Sequence, residues 1–205
     1  MIDLGCVSES EVVLTFVRAE IEAPRYRNWY LNALRDIQGS HTKLIDDADL
    51  SNDSDNAARA YLLGAVRGYR RNAMLFKGFP DKVSWRRCEV EVTELGEFLY
   101  ANFATLLELS GASRRVSEGA KKALIVPQTF SAACQDMVSG ISPIIRRIEV
   151  GHQFEDCIAV RDGRFNTVVL VDGHTRATAY VAAQKPKRTR VLVGTSAVMH
   201  EWWLI

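Results

Sequence analysis

The stretch from Val168 to Ala183, VVLVDGHTRATAYVAA, constrains the fold of this chain most strongly. An apolar run typical of a buried strand stops at Asp172, and small residues then recur at helical spacing. The stretch therefore predicts a strand, a tight turn and the start of a helix. The first amides of a helix lack partners within it, and this end of the helix dipole is positive, so the turn is predicted to bind a phosphate or another anion. The predicted phosphate-binding residues here are Gly173, His174, Thr175 and Arg176.

Composition limits the class of protein. The 205 residues allow one large domain, or one domain with a subdomain, and 47% of them are hydrophobic, so a core can be buried. The net charge of +1 argues against a protein that coats nucleic acid through bulk charge alone. The four cysteines are scattered without a C-x-x-C pair, which favours free thiols over a zinc ribbon.

Targeting signals are also limited by the sequence. No apolar run reaches the ~20 residues needed to span a bilayer. The beginning, MIDLGCVSESE, lacks the basic start and apolar core of a signal peptide. The sequence therefore predicts a cytoplasmic location and no membrane partner.

Hydrophobic spacing predicts a mainly helical region over residues 1–139. Ser8 and Glu11 have capping-box spacing, Pro24 suits the first turn of a second helix, and Gly39 is predicted to end that helix. Further helices are predicted over 56–69, from Thr93 through Leu109, over 114–124 and over 131–138, with a strand over 83–92.

Residues 140–205 are predicted to form a compact α/β unit. The expected elements are a strand over 157–160, a hairpin at Asp162-Gly163, a strand over 167–171, a helix over 174–184, a β-rich run over 190–193 and a helical turn over 196–203. The expected class is α+β, with the helical N-terminal two-thirds packed on this unit. No flexible linker separates the two regions.

In this order of elements, residues 141–200 resemble the ParB/sulfiredoxin superfamily, whose members carry a Gly-x-x-Arg turn at the position of Gly173-His174-Thr175-Arg176. The resemblance implies a ParB/Srx-like fold and nucleotide phosphates bound by Gly173 and Arg176, with backbone help from Thr175. It also suggests the stand-alone nuclease or ATPase members, with a plasmid- or phage-related role in DNA transfer or defence. Sulfiredoxins have cysteine where His174 stands, and ParB proteins have a second arginine where Thr175 stands, so neither sulfinic-acid reduction nor CTP chemistry is expected.

Several residues around the turn are candidates for catalysis. His174 could orient or deprotonate water, and Arg176 could stabilise charge in the transition state. Asp172 and Glu155 could share Mg²⁺ or Mn²⁺. The alternatives are that Asp172 caps the helix and that His174 is a capping or solvent-facing residue. Arg114 and Arg115, at a predicted helix start where cations are disfavoured, could reach the same phosphate.

Two basic stretches are candidates for nucleic-acid binding. Arg67, Arg70 and Arg71 alternate with aromatic residues, and Lys187 and Arg188 lie in a loop after the predicted phosphate helix. In each case the alternative is a solvated cationic surface. Trp202 and Trp203 predict packing within the chain or against a partner.

Three functions are consistent with these features. The first is a metal-assisted phosphohydrolase, a DNase or an NTPase, with a nucleoside triphosphate as ligand or substrate. The second is a non-catalytic module that senses a nucleotide and recruits DNA or a protein partner. The third is an inhibitor that works by occlusion and keeps a vestigial pocket.

Overall fold

The computed structural model describes residues 1–37, 40–125, 129–164 and 167–205, and their strands form one five-stranded sheet of order β1-β2-β5-β3-β4. The strands are β1 (Ile2–Val7), β2 (Ser84–Glu91), β3 (Cys157–Asp162), β4 (Thr167–Asp172) and β5 (Arg188–Thr195). The mixed helix-and-sheet class is therefore confirmed.

Strands from both sides of residue 140 share this sheet. β2 pairs antiparallel with β1 and β5, whereas β3 pairs parallel with β5 and antiparallel with β4. At the centre, Val191 of β5 lies opposite Cys88 of β2 on one side and Cys157 of β3 on the other. β5 thus joins the two halves of the sheet.

Helices account for much of the remaining chain. They are α1 (Glu9–Glu22), α2 (Pro24–Asp36), α3 (Asp53–Arg67), α4 (Val92–Leu95), α5 (Ala104–Ser110), α6 (Val116–Ile125), α7 (Ala132–Ser139), α8 (Ile141–Glu149) and α9 (His174–Ala183). Within the described ranges, no helix is long and apolar enough to cross a membrane.

The local signals that start the first helices are confirmed. Ser8 caps α1 and its side chain accepts a hydrogen bond from the Glu11 amide, while Pro24 is the first residue of α2. Gly39, predicted to end α2, lies outside the described residues.

Helices cover both faces of the sheet. Residues of α1 and α3 line a small apolar cavity of about 20 Å³ together with Ile158 and Val171. Neighbouring side chains on a strand point to opposite faces, so Cys157 faces away from that cavity. Cys157 lies close to Tyr180 of α9, and α9 packs on α6 and α8. The strand end that leads into α9 therefore lies between two helical layers.

The prediction of one helix from Thr93 through Leu109 is wrong. The helix stops at Leu95 and the chain becomes extended before α5. The Leu99 amide donates to the Val168 carbonyl, and the Leu99 carbonyl accepts from the Leu170 amide. These hydrogen bonds to the free edge of β4 replace the helical ones, and the apolar side chains that suggested a helix are buried or partly buried around this segment.

Two elements were not expected from the sequence. β1 is exposed along most of its length, so it lacks the alternation that marks a half-buried strand. The third residue of α8 is Pro143, and a proline is compatible with a turn as well as with the first turn of a helix.

We predict that Ser8→Ala lowers the free energy of unfolding by about 1 kcal/mol, because the Glu11 amide loses its cap. Ser10→Ala is the matched control, since Ser10 lies in the same helical turn and its side chain makes no hydrogen bond to any described residue. Urea denaturation measures both. Equal stability of the two variants would contradict the assigned start of α1.

Candidate functional site

The candidate site lies where β4 ends and α9 begins. Gly173, the residue between them, is left-handed with φ of +86° and is the N-cap of α9. A Cβ atom at this position would lie 2.7 Å from Cys157 Sγ and 3.2 Å from Cys157 Cα. Glycine is therefore required both by the backbone angle and by the close approach of β3.

The first turn of α9 has free backbone donors. No side chain caps the helix, so the alternative in which Asp172 is the N-cap is wrong. The amides of His174, Thr175 and Arg176 donate no hydrogen bond to any residue that the structure describes. Since the helix dipole is positive here, these amides are suited to an anion.

Arg176 is buried and both arms of its guanidinium are engaged. Nη1 donates to the Glu155 carbonyl at 2.7 Å, and Nη2 donates to Asp172 Oδ2 at 2.5 Å. The side chain thus ties the end of β4 to the segment before β3, and it neutralises the Asp172 carboxylate. It does not extend freely toward a ligand.

The two predicted metal ligands are not arranged for Mg²⁺ or Mn²⁺. Asp172 is paired with Arg176, so a cation there would meet a guanidinium. Burial raises the pKa of Glu155, which opposes its ionised form, although Arg18 and Arg176 counteract the rise. In the described ranges no three His, Cys, Asp or Glu side chains are grouped to hold a metal ion.

His174 is a neutral, hydrogen-bonded imidazole. Its Nε2 lies 3.2 Å from the Leu170 carbonyl, and because a carbonyl only accepts, Nε2 carries the hydrogen. The ring lies beside Tyr100 and Phe103. Burial lowers the pKa of His174 to about 4, with Asp172 opposing. Nδ1 remains as an acceptor, but a base of this pKa is weak near neutral pH.

Arg67, predicted to contact nucleic acid, instead faces the interior. Its Nε lies 3.4 Å from Glu20 Oε1, and its guanidinium lies 4.4 Å from the centre of the Tyr26 ring. Tyr30 completes the group, since its hydroxyl donates to Glu20 Oε2 at 2.7 Å. Glu20 and Tyr30 were missed by sequence reasoning. The available signal was a carboxylate on the apolar face of α1, four residues after Phe16.

This buried group adjoins the end of β4. Burial raises the pKa of Glu20 to about 8, Arg67 opposes the rise, and the Asp172 charge adds to it. Burial also raises the pKa of Tyr30, and Glu20 and Asp172 raise it further. Helices α1, α2 and α3 therefore place charged and phenolic groups at the same strand end as the Gly173 turn.

Arg114 and Arg115 do not meet the start of α9. The Arg114 guanidinium donates to main-chain oxygens of Tyr100, Leu204 and Ile205. These hydrogen bonds connect residues 204–205 to the segment around Tyr100. Arg115 is exposed and pairs with Glu97.

The other residues predicted to bind nucleic acid differ in whether a carboxylate neutralises their charge. Arg70 pairs with Glu9, and Arg188 pairs with Glu89 and Glu91. Lys187 is exposed and its carbonyl accepts from the Val92 amide. Arg71 lies over the Tyr61 ring at 5.1 Å.

A polar cleft of about 280 Å³ lies at the segment before β3. It is lined by Glu22, Arg87, Gln153, Phe154, Glu155, Asp156 and Arg190. Arg87 bridges Asp156 and Glu11, both at 2.8 Å. Glu155 lines this cleft and its carbonyl accepts from Arg176, so Glu155 connects the cleft to the turn.

No protein-family model, curated protein or solved structure matches this chain. The function therefore rests on the geometry of the strand end and its surroundings.

We predict that Glu20→Gln changes how stability depends on pH. The folded-state pKa of about 8 lies above the ordinary value of 4.5 for a glutamate, so the folded protein holds the proton more tightly. Wild-type stability should therefore fall as pH rises from 4.5 to 8, and this contribution should be absent in the variant. Denaturation from pH 6.5 to 8.5 measures the free energy of unfolding of both proteins. The variant should gain stability relative to wild type as the pH rises.

Glu22→Gln is the control for this measurement, because Glu22 is an exposed carboxylate at the end of the same helix. If Glu20→Gln and Glu22→Gln follow the same pH profile, Glu20 is not buried against Arg67 as described.

We also predict that His174 titrates with a midpoint near pH 4, because burial disfavours the imidazolium. Its contribution to stability is lost as the pH falls from 6.5, the ordinary pKa of a histidine, toward 4. Proton NMR of the histidine ring signals, assigned with His174→Asn, measures the midpoint. A midpoint near 6.5 would show an imidazole open to solvent.

Proposed function

We propose that the chain binds the phosphate groups of a nucleotide at the first turn of α9. The observation that carries this proposal is the uncapped helix start: three successive amides, at residues 174–176, without hydrogen-bond partners among the described residues. Gly173 brings backbone rather than a side chain to this point. The order strand, hairpin, strand, turn, helix and strand from β3 to β5 is the one on which the ParB/sulfiredoxin resemblance rests, and it supports the same role.

Arg176 contributes indirectly to this site. An anion at the start of α9 would be repelled by the neighbouring Asp172 carboxylate, and the ion pair with Arg176 removes most of that repulsion. Arg176 is thus a positioning residue. It also holds Glu155, and with it the wall of the polar cleft, against the turn.

The geometry favours binding without turnover. His174 is held by the Leu170 carbonyl and the Asp172 carboxylate is held by Arg176, so neither is placed as a free base. A nucleotide-sensing module that acts through a protein or DNA partner is therefore the leading proposal. A metal-assisted phosphohydrolase is the second candidate, because the exposed Glu22 carboxylate lines the polar cleft and could take a divalent ion together with a ligand.

We predict that Thr175→Asp abolishes nucleotide binding without destabilising the fold. A carboxylate at the second residue of α9 repels a phosphate, yet it is favourable at a helix start by about 0.3–1 kcal/mol. Thermal shift with each nucleoside triphosphate, its nucleoside and inorganic phosphate, with and without Mg²⁺ or Mn²⁺, measures binding. A ligand at 100 times its Kd stabilises wild type by about 2.7 kcal/mol.

Ser117→Asp is the matched control, because Ser117 is the second residue of α6 and is partly buried, as is Thr175. Its amide is already bonded to the Gly96 carbonyl, so no anion site is lost. Unchanged nucleotide affinity in Thr175→Asp would refute the site. Phosphate release by wild type, lost in Thr175→Asp, would favour the hydrolase over the sensing module.

A further inference from the structure

A row of aromatic contacts leads away from the start of α9. The His174 ring lies 6.4 Å from the Phe103 ring, and the Phe103 ring lies 6.0 Å from that of Trp203, at an angle of 88°. The candidate phosphate site is thus connected through two ring contacts to a tryptophan at the surface.

Trp203 is exposed and held in place. Its side chain is 49% accessible, whereas that of the adjacent Trp202 is buried, so only one of the two tryptophans packs in the core. The Trp203 indole Nε1 donates to the Met74 carbonyl at 3.0 Å, and its amide lies 3.5 Å from the Lys77 carbonyl. An exposed indole whose orientation is fixed offers a ready face for stacking.

The row continues through the loop that follows α3. Met74 is 55% exposed, and three residues earlier the Arg71 guanidinium lies over the exposed Tyr61 ring. Among the described residues, neither Arg71 nor Lys77 forms an ion pair with a carboxylate. This surface therefore carries two cations without a carboxylate partner, Arg71 over the Tyr61 ring and Lys77 next to the exposed Trp203.

We propose that this surface binds single-stranded nucleic acid. We name it the aromatic track; its exposed members are Trp203, Met74, Arg71 and Tyr61, and the partly buried rings of His174 and Phe103 connect it to the start of α9. The proposal rests on the proposed function, since one phosphate of the strand would occupy the start of α9. A neighbouring base would stack on Trp203, and Lys77 and Arg71, which lies over the Tyr61 ring, would contact the backbone.

The chemistry of the track favours unpaired bases. Stacking on a protein ring needs a base whose face is free, and the bases of a duplex are already stacked on one another. An acidic peptide would neutralise Arg71 and Lys77 but would leave the exposed ring of Trp203 without a flat partner. The track therefore matches a polyanion that carries its own aromatic faces.

The test is fluorescence anisotropy of labelled dT12, rU12 and a dT12·dA12 duplex over a range of salt concentrations. Wild type should bind one or both single strands more tightly than the duplex, and the dT12 and rU12 arms decide between DNA and RNA. Trp203→Ala should weaken single-strand binding roughly 5- to 150-fold, and Trp203→Phe should retain most of the affinity because a ring remains. Arg71→Gln should lower the slope of log K against log[salt] by about 0.7, the value for one phosphate contact.

Trp29→Ala and Arg35→Gln are the controls, since both residues belong to α2, and Trp29 is an exposed tryptophan that contacts Tyr26. The track is refuted if Trp203→Ala and Arg71→Gln bind as wild type does, if the duplex binds equally well, or if no oligonucleotide binds. Mononucleotide binding that still depends on Thr175 would then leave the proposed function standing. Loss of both kinds of binding would refute both proposals.

Discussion

The buried pairing of Arg176 with Asp172 and the Glu155 carbonyl is the interaction on which the site depends. It joins three parts of the chain at one strand end: the last residue of β4, the first turn of α9 and the approach to β3. Breaking a buried ion pair on one side leaves an uncompensated charge, which is far more costly than losing an exposed pair. The Arg176 guanidinium therefore fixes the conformation of the turn and balances the Asp172 charge. The donors that remain free for a ligand are the backbone amides of residues 174–176.

The strand-turn-helix unit from β4 to α9 was predictable because its signals are local. An apolar run, a glycine at a left-handed position and small residues at helical spacing act within a few residues of one another. The same holds for Ser8, Pro24 and the strand over Ser84–Glu91. The anion-binding character of residues 173–176 stays a prediction from the same local pattern.

The rest of the site depends on contacts between distant parts of the chain. Arg67 resembles the other arginines near the end of α3, and only the position of Glu20 and Tyr26 turns it inward. Leu99 fits a helical pattern, and only the free edge of β4 draws it into an extended conformation. Trp202 and Trp203 are identical in sequence terms, yet one is buried and the other exposed. Burial and partner choice of this kind are fixed by tertiary packing, which a residue pattern does not contain.

The position of β5 has a consequence for synthesis of the chain. β5 is the last strand in sequence but lies between β2 and β3 in the sheet. While the ribosome is still translating residues before Arg188, β1 and β2 have no neighbour on their inner side, and β3 and β4 form a separate pair. The sheet closes only when β5 has emerged, so exposed strand edges must be protected until then, by the nascent helices or by chaperones.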